Sequence, residues 1–210
     1  MSYAVKECFL TLQGEGVQSG SRAVFLRFAG CNLWSGREQD REAAQCNFCD
    51  TDFVGTDGEG GGKFADAAHL ADHVLATWGE GEDRRLVVIT GGEPMLQLDR
   101  TLVDALHDRG FRVAVESNGT LSAVDGIDWL CISPKAGTDV VQRSGDELKL
   151  VWPQAGVEPA ELEGWDFRNF LIQPMDCEDR KEALDAAIRL VMERPRWRLS
   201  LQTHKLIGLP

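Results

Sequence analysis

Short apolar runs alternate along the chain with stretches of helical period, and this alternation predicts an α/β protein. Strand-like runs occupy 23–28, 86–90, 111–116, 128–132, 147–151, 169–173 and 197–202. Between them, helical stripes run Phe64, Ala67, Ala68, Ala71, Val74, Leu75, Trp78, then Leu98, Leu102, Ala105, Leu106, and then Leu184, Ala187, Ile188, Val191. Near-continuous Val/Ile/Leu runs such as 86–90 suit strands buried on both faces, as in a parallel sheet covered by helices. About six core strands against three main helices predict a parallel β/α barrel that is incomplete. The six tryptophans are expected in the core or at an interface. Gly55 to Gly62 is so rich in glycine that it is expected to be a mobile surface loop. At 210 residues, the chain suits one domain, 1–210, with a sizeable core.

Polar and glycine-bearing segments collect at the carboxyl ends of these runs. Strand 23–28 leads into Cys31, and strand 86–90 ends in Thr90-Gly91-Gly92-Glu93-Pro94. The next ends are Glu116-Ser117-Asn118-Gly119, Ser133-Pro134-Lys135 and Gln173-Pro174-Met175. In parallel α/β sheets those ends form the open mouth that binds ligands, so the series predicts a site along one rim.

Cys31, Cys46 and Cys49 give that rim its chemistry. Thiolates are soft ligands, and three of them bind three corners of an iron-sulfur cubane, leaving the fourth iron open. Cys46-x-x-Cys49 alone would also fit a structural zinc site completed by His69 or His73, but no fourth ligand is spaced beside it. Cys8, Cys131 and Cys177 read as packed thiols. A formal net charge of -12 argues against a surface that tracks nucleic-acid phosphates. The start of the chain lacks a basic stretch followed by an apolar one, and no run is long enough to cross a bilayer. The expectation is a cytoplasmic protein with neither nucleic-acid nor membrane partners, whose cysteines serve as ligands or packed thiols rather than disulfides.

The cysteines, Gly91-Gly92-Glu93-Pro94 and the α/β order resemble the radical S-adenosylmethionine enzymes. Leu12-Gln13-Gly14-Glu15-Gly16, Cys49-Asp50-Thr51, Glu116-Ser117-Asn118-Gly119, Ser133-Pro134-Lys135 and Gln202-Thr203-His204-Lys205 resemble, more narrowly, the 7-carboxy-7-deazaguanine synthase family. The resemblance spans nearly the whole chain. One departure stands out: the superfamily's usual three residues between the first two cysteines are fourteen here, an inserted excursion at 32–45. Trp34 to Ala44 is expected to form a short helix that shapes the cluster face or a donor-docking surface.

The resemblance implies a partial β/α barrel of the radical S-adenosylmethionine type. It implies a carbon-nitrogen lyase that contracts the ring of 6-carboxy-5,6,7,8-tetrahydropterin to 7-carboxy-7-deazaguanine with loss of ammonia, in 7-deazapurine (queuosine) biosynthesis. A [4Fe-4S] cluster would take Cys31, Cys46 and Cys49, and a magnesium ion would take the hydroxyl of Thr51. S-adenosylmethionine would lie against Gly91, Gly92, Glu93, Glu116, Ser133, Pro134, Lys135, Gln173, Pro174, Met175 and Asp176, with Gly91 and Gly92 letting backbone approach closely and Glu93 meeting its ammonium. The pterin would meet Leu12, Gln13, Gly14, Glu15, Arg27 and Thr90. The apolar tail Leu206-Ile207-Gly208-Leu209-Pro210 is expected to dock and to bring the Pro210 carboxylate to the substrate. No catalytic residue is expected beyond the cofactor-generated radical. A flavodoxin or ferredoxin donor and a homodimer are further implications. Another radical enzyme, such as a glycyl-radical activating enzyme, and a non-catalytic metal- or cluster-binding module are the alternatives. Gln13 to Glu15 with Thr51 argue against the first, and the series of polar strand ends against the second.

Overall fold

The computed structural model describes residues 2–209. Its strands are β1 (Tyr3–Leu12), β2 (Arg22–Phe28), β3 (Gly62–Phe64), β4 (Leu86–Gly91), β5 (Arg112–Ser117), β6 (Trp129–Ile132), β7 (Ser144–Trp152), β8 (Asp166–Pro174) and β9 (Trp197–Leu199). They form one sheet in the order β3-β1-β2-β4-β5-β6-β7-β8-β9. The run from β2 to β9 is parallel throughout and is made of the strands that the apolar pattern predicts, the last ending at Leu199 rather than 202. The sheet does not close on itself, which makes it a partial barrel.

Strands β1 and β3 were not predicted. β1 lies antiparallel between β2 and β3, and its ladder with β2 shifts register between Val5 and Glu7. Lys6 and Glu7 interrupt its apolar run, yet Lys6 is buried, with its ammonium 2.8 Å from both Asp52 and Asp57. The glycine-rich segment, expected to be mobile, lies instead along β1: Cys8 N donates to the Glu59 carbonyl at 2.7 Å and Gly58 N to the Lys6 carbonyl at 2.9 Å. A Cβ at Gly60 would strike the Cys8 carbonyl and one at Gly61 the Lys6 carbonyl, so glycine serves close approach here rather than flexibility.

The three predicted helices are α1 (Ala67–Trp78), α2 (Arg100–His107) and, after a single turn α3 (Pro159–Leu162), α4 (Arg180–Glu193). Asp66 and Asp99 start α1 and α2 by accepting from His69 N and Leu102 N. Phe64, read as the first residue of the α1 stripe, belongs to β3. A last short helix, α5 (Thr203–Ile207), follows β9. Among the described residues no helix is long and apolar enough to cross a membrane.

Alternation along the strands gives the sheet two different faces. One packs Leu26, Ile89, Val115, Leu148 and Ile172 against Leu70, Val74, Leu102, Leu106 and Leu190 of the helices. Burying each such side chain is worth about 1.5–3 kcal/mol, so this layer dominates stability. The other face is apolar toward the amino ends of the strands, at Ala23, Val88 and Ala114. Toward their carboxyl ends it carries Arg27, Thr90, Glu116, Lys149 and Gln173, which line a cavity.

The excursion at 32–45 contains only one 3-10 turn, Glu38–Asp40. Its anchor is Trp34, buried edge-on against Phe53 with ring centroids 5.6 Å apart and covered by the Arg41 guanidinium at 4.1 Å. Arg41 Nη1 also donates to the carbonyls of Asn47 and Cys49 at 3.0 Å each. The excursion therefore clamps the loop that carries Cys46 and Cys49.

Candidate active site

A cavity of about 570 Å³ opens at the carboxyl ends of the parallel strands, and Cys31, Cys46 and Cys49 all line it. A hydrogen bond between Cys46 and Cys49 holds the Cys49 thiol down to about 6 and, with burial, pushes Cys46 up. Burial also raises Cys31, which senses the charge of Cys49. Among the described residues no three His, Cys, Asp or Glu side chains converge on one metal ion. A cubane does not ask them to, because each thiolate takes a separate iron. Completion by histidine for zinc fails on position: His69 turns to Asp66 and His73 to the Gly60 carbonyl, and neither faces the cavity. Cys8 and Cys131 are buried thiols, as expected.

Next to the cysteines, Gly91 and Gly92 line the cavity. Gly92 packs so closely that a Cβ would collide with the Gly30 carbonyl and with Cys31 Cβ. The neighbouring Glu93 does not present its carboxylate to a ligand. It is 0% exposed and accepts from Met95 N, Ser117 Oγ and Asn118 N at 2.9, 2.9 and 2.8 Å. Its role is to tie the end of β4 to the end of β5, at the cost of a carboxyl that burial pushes up. Glu116, Ser133, Lys135, Gln173, Pro174, Met175 and Asp176 line the cavity, whereas Pro134 is buried behind it. Burial lowers Lys135, whose ammonium donates to the carbonyl and hydroxyl of Ser133 at 2.7 Å each.

Leu12, Gln13, Glu15, Arg27 and Thr90 line the same cavity, with Arg27 and Thr90 paired in register across β2 and β4. Gly14 is not among them; its carbonyl accepts from Thr203 N at 2.9 Å and Thr203 Oγ1 at 2.8 Å. Arg27 also holds Glu7, through Nε at 2.6 Å. Thr51 lines the cavity, while the carboxylates on either side of it are engaged: Asp50 by Lys205 and Asp52 by Lys6. A magnesium ion that keeps its waters needs few protein oxygens, so a lone Thr51 hydroxyl is a compatible donor set. Pro210 lies outside the described residues.

No family model matches the chain. A 7-carboxy-7-deazaguanine synthase from Caulobacter vibrioides is 61% identical over the whole of both chains. Those from Bradyrhizobium diazoefficiens and Bordetella pertussis are 58% and 59% identical, again over their full lengths. The chain belongs to the 7-carboxy-7-deazaguanine synthase family. Its fold agrees: the crystal structure of QueE from Escherichia coli, 29% identical, superposes with a TM-score of 0.70 and covers 97% of this chain and 95% of that one.

Within this family fold, several cavity residues escape sequence reasoning. Lys149 bridges Glu15 and Glu116; its only signal was a lysine inside the apolar run Leu148 to Val151. Gln202 and Lys205 sit in a segment that resembled the family, yet nothing local told that they reach Asp50. The tail was expected to dock through its apolar residues. Polar bonds from Gln202, Thr203 and Lys205 hold α5, and Leu206 and Ile207 stand 73% and 61% exposed, but Leu209 does line the cavity.

Proposed function

We propose that this enzyme contracts the ring of 6-carboxy-5,6,7,8-tetrahydropterin to 7-carboxy-7-deazaguanine, releasing ammonia, in the making of 7-deazapurines such as queuosine. The observation that carries the reading is one cavity lined together by three cysteines, a close-packed glycine, an arginine and two carboxylates that share Lys149.

Cys31, Cys46 and Cys49 would hold a [4Fe-4S] cluster, and the Gly91-Gly92 backbone, Ser133, Lys135, Gln173 and Asp176 would hold S-adenosylmethionine. When bound, these groups supply a 5'-deoxyadenosyl radical by one-electron cleavage of a carbon-sulfur bond. Glu15 and Gln13 suit the donors of the pterin's amino-pyrimidinone edge, Glu116 moves from the expected S-adenosylmethionine set to join them because Lys149 ties it to Glu15, and Arg27 suits the pterin carboxylate. Thr51 would share a magnesium ion with that carboxylate. Phe9, Phe25 and Trp34 add apolar wall that excludes water from the reacting ring. The remaining proposals are a single domain over 1–210, a cytoplasmic homodimer and a flavodoxin or ferredoxin electron donor.

Anaerobic reconstitution followed by an assay with S-adenosylmethionine, reductant and the carboxytetrahydropterin tests the reading. Formation of 7-carboxy-7-deazaguanine is expected. Cleavage of S-adenosylmethionine without that product would assign a different radical reaction, and no cleavage at all would leave a cluster-binding module.

A further inference from the structure

We propose that Lys149 is a positioning residue that keeps the cavity carboxylates Glu15 and Glu116 as a pair of pure hydrogen-bond acceptors, so that the enzyme takes 2-amino-4-oxo rings and rejects rings carrying oxygen at position 2. The proposal rests on the pterin reading above and names the device that would give it selectivity.

Lys149 rises from the inner face of β7 with its side chain 4% exposed, and its ammonium meets Glu15 Oε2 at 2.5 Å and Glu116 Oε2 at 2.9 Å. The other oxygen of each carboxylate accepts an amide: Gln202 Nε2 donates to Glu15 Oε1 at 3.0 Å and Gln13 Nε2 to Glu116 Oε1 at 2.9 Å. Both carboxylates are therefore held from behind by donors, while 15% and 23% of their side-chain surfaces remain exposed and both line the cavity. An ionised carboxylate only accepts. It matches a ring edge bearing N–H and amino groups, and it sets lone pair against lone pair when the amino group is replaced by oxygen.

The surrounding charges make Lys149 the group that decides this. Glu147 and Cys131 face it from β7 and β6, His204 faces Glu15 from α5, and Lys135 stands beyond. Burial works to raise Glu15, yet the Lys149 charge and its hydrogen bond bring the carboxyl below its ordinary value. Burial likewise works to lower Lys149, and Glu116 and Glu15 hold it well above its own. Without that ammonium, two adjacent buried carboxylates share a site, and one takes a proton and becomes a donor. The edge would then accept either ring.

The experiment measures binding of 6-carboxytetrahydropterin and of its 2-oxo counterpart, the tetrahydrolumazine, to anaerobically reconstituted enzyme loaded with S-adenosylmethionine. The wild type should prefer the 2-amino ring by about 100-fold or more, since a site built for specific donors rejects an analogue that lacks them. Lys149→Met should fall below about tenfold preference, with the preference growing as pH rises and the carboxylates ionise, and should raise KM for the 2-amino substrate more than it lowers kcat. Lys149→Arg should restore the preference, and S-adenosylmethionine affinity should stay constant throughout, reporting an intact fold. If Lys149→Met does not fold, Glu15→Gln, which adds a donor to the edge while leaving Lys149 paired with Glu116, should lose the same preference. A folded Lys149→Met or Glu15→Gln that keeps wild-type selectivity overturns the proposal, as does a wild type that binds both rings equally. A wild type that cleaves S-adenosylmethionine but binds neither ring overturns the pterin reading itself, and this inference with it.

Discussion

Lys205 donates to Asp50 at 2.7 Å, joining the last helix to the residue between Cys49 and Thr51 across 155 positions of sequence. The same ammonium meets Asp176, at the end of the proposed S-adenosylmethionine segment, at 2.5 Å. Gln202 and Thr203 add bonds to Glu15 and Gly14. One short strap thus touches the three loops proposed to hold the cluster, the cofactor and the pterin.

Breaking that strap at Lys205→Met should cost the fold little, under about 1 kcal/mol, because the pair is partly solvated. Its effect should fall on ligands: a severalfold weaker S-adenosylmethionine affinity and a severalfold higher KM for the pterin. Thermal melts beside binding titrations separate the two, and unchanged affinities would remove the coupling role.

Gly92→Ala places a methyl group where the Gly30 carbonyl and Cys31 Cβ already stand. Backbone must move at the strand end that carries Cys31, the first of the proposed cluster ligands. Iron and sulfide content should drop, and S-adenosylmethionine affinity should fall at least about tenfold in whatever cluster-bearing fraction remains.

Arg41→Ala uncovers Trp34 and frees the carbonyls of Asn47 and Cys49. The lost cation–π contact is worth about 0.5–2 kcal/mol. The clearer readout is the cluster: its visible absorbance should decay several times faster in air than in the wild type, with Arg41→Lys intermediate because it keeps the charge and loses the planar fork.

The pH dependence of stability should carry two opposite contributions. Burial raises the Glu147 carboxyl, so the folded state binds its proton more tightly than the unfolded chain and stability declines as pH rises through the interval above the ordinary carboxylate value. Glu147→Gln should flatten that decline in melts between pH 5 and pH 8. Glu15 is lowered, so its contribution is full above the ordinary carboxylate value and disappears as pH falls below it. Lys149→Met should weaken that acid-side loss. The Lys149 contribution is full below the ordinary lysine value, so it adds no slope near neutrality.

What the sequence determined by itself was everything written locally. The parallel strands were legible because each is an apolar run that needs two covered faces, and the rim was legible because chain direction in a parallel sheet sends every carboxyl end the same way. The cysteines pointed to soft-ligand chemistry through residue type, against an unusual spacing, and Gly91-Gly92 to close backbone approach through its place at a strand end. Tertiary structure decided which polar groups face the ligand and which serve the frame. Glu93 turned inward because Ser117 and Asn118 offered donors from another strand. β1 hid its lysine because Asp52 and Asp57 came back to meet it. Lys149 acquired its place from Glu15, 134 residues away. A buried charge is tolerated only where its partner arrives, and no local pattern records which distant residue that partner will be.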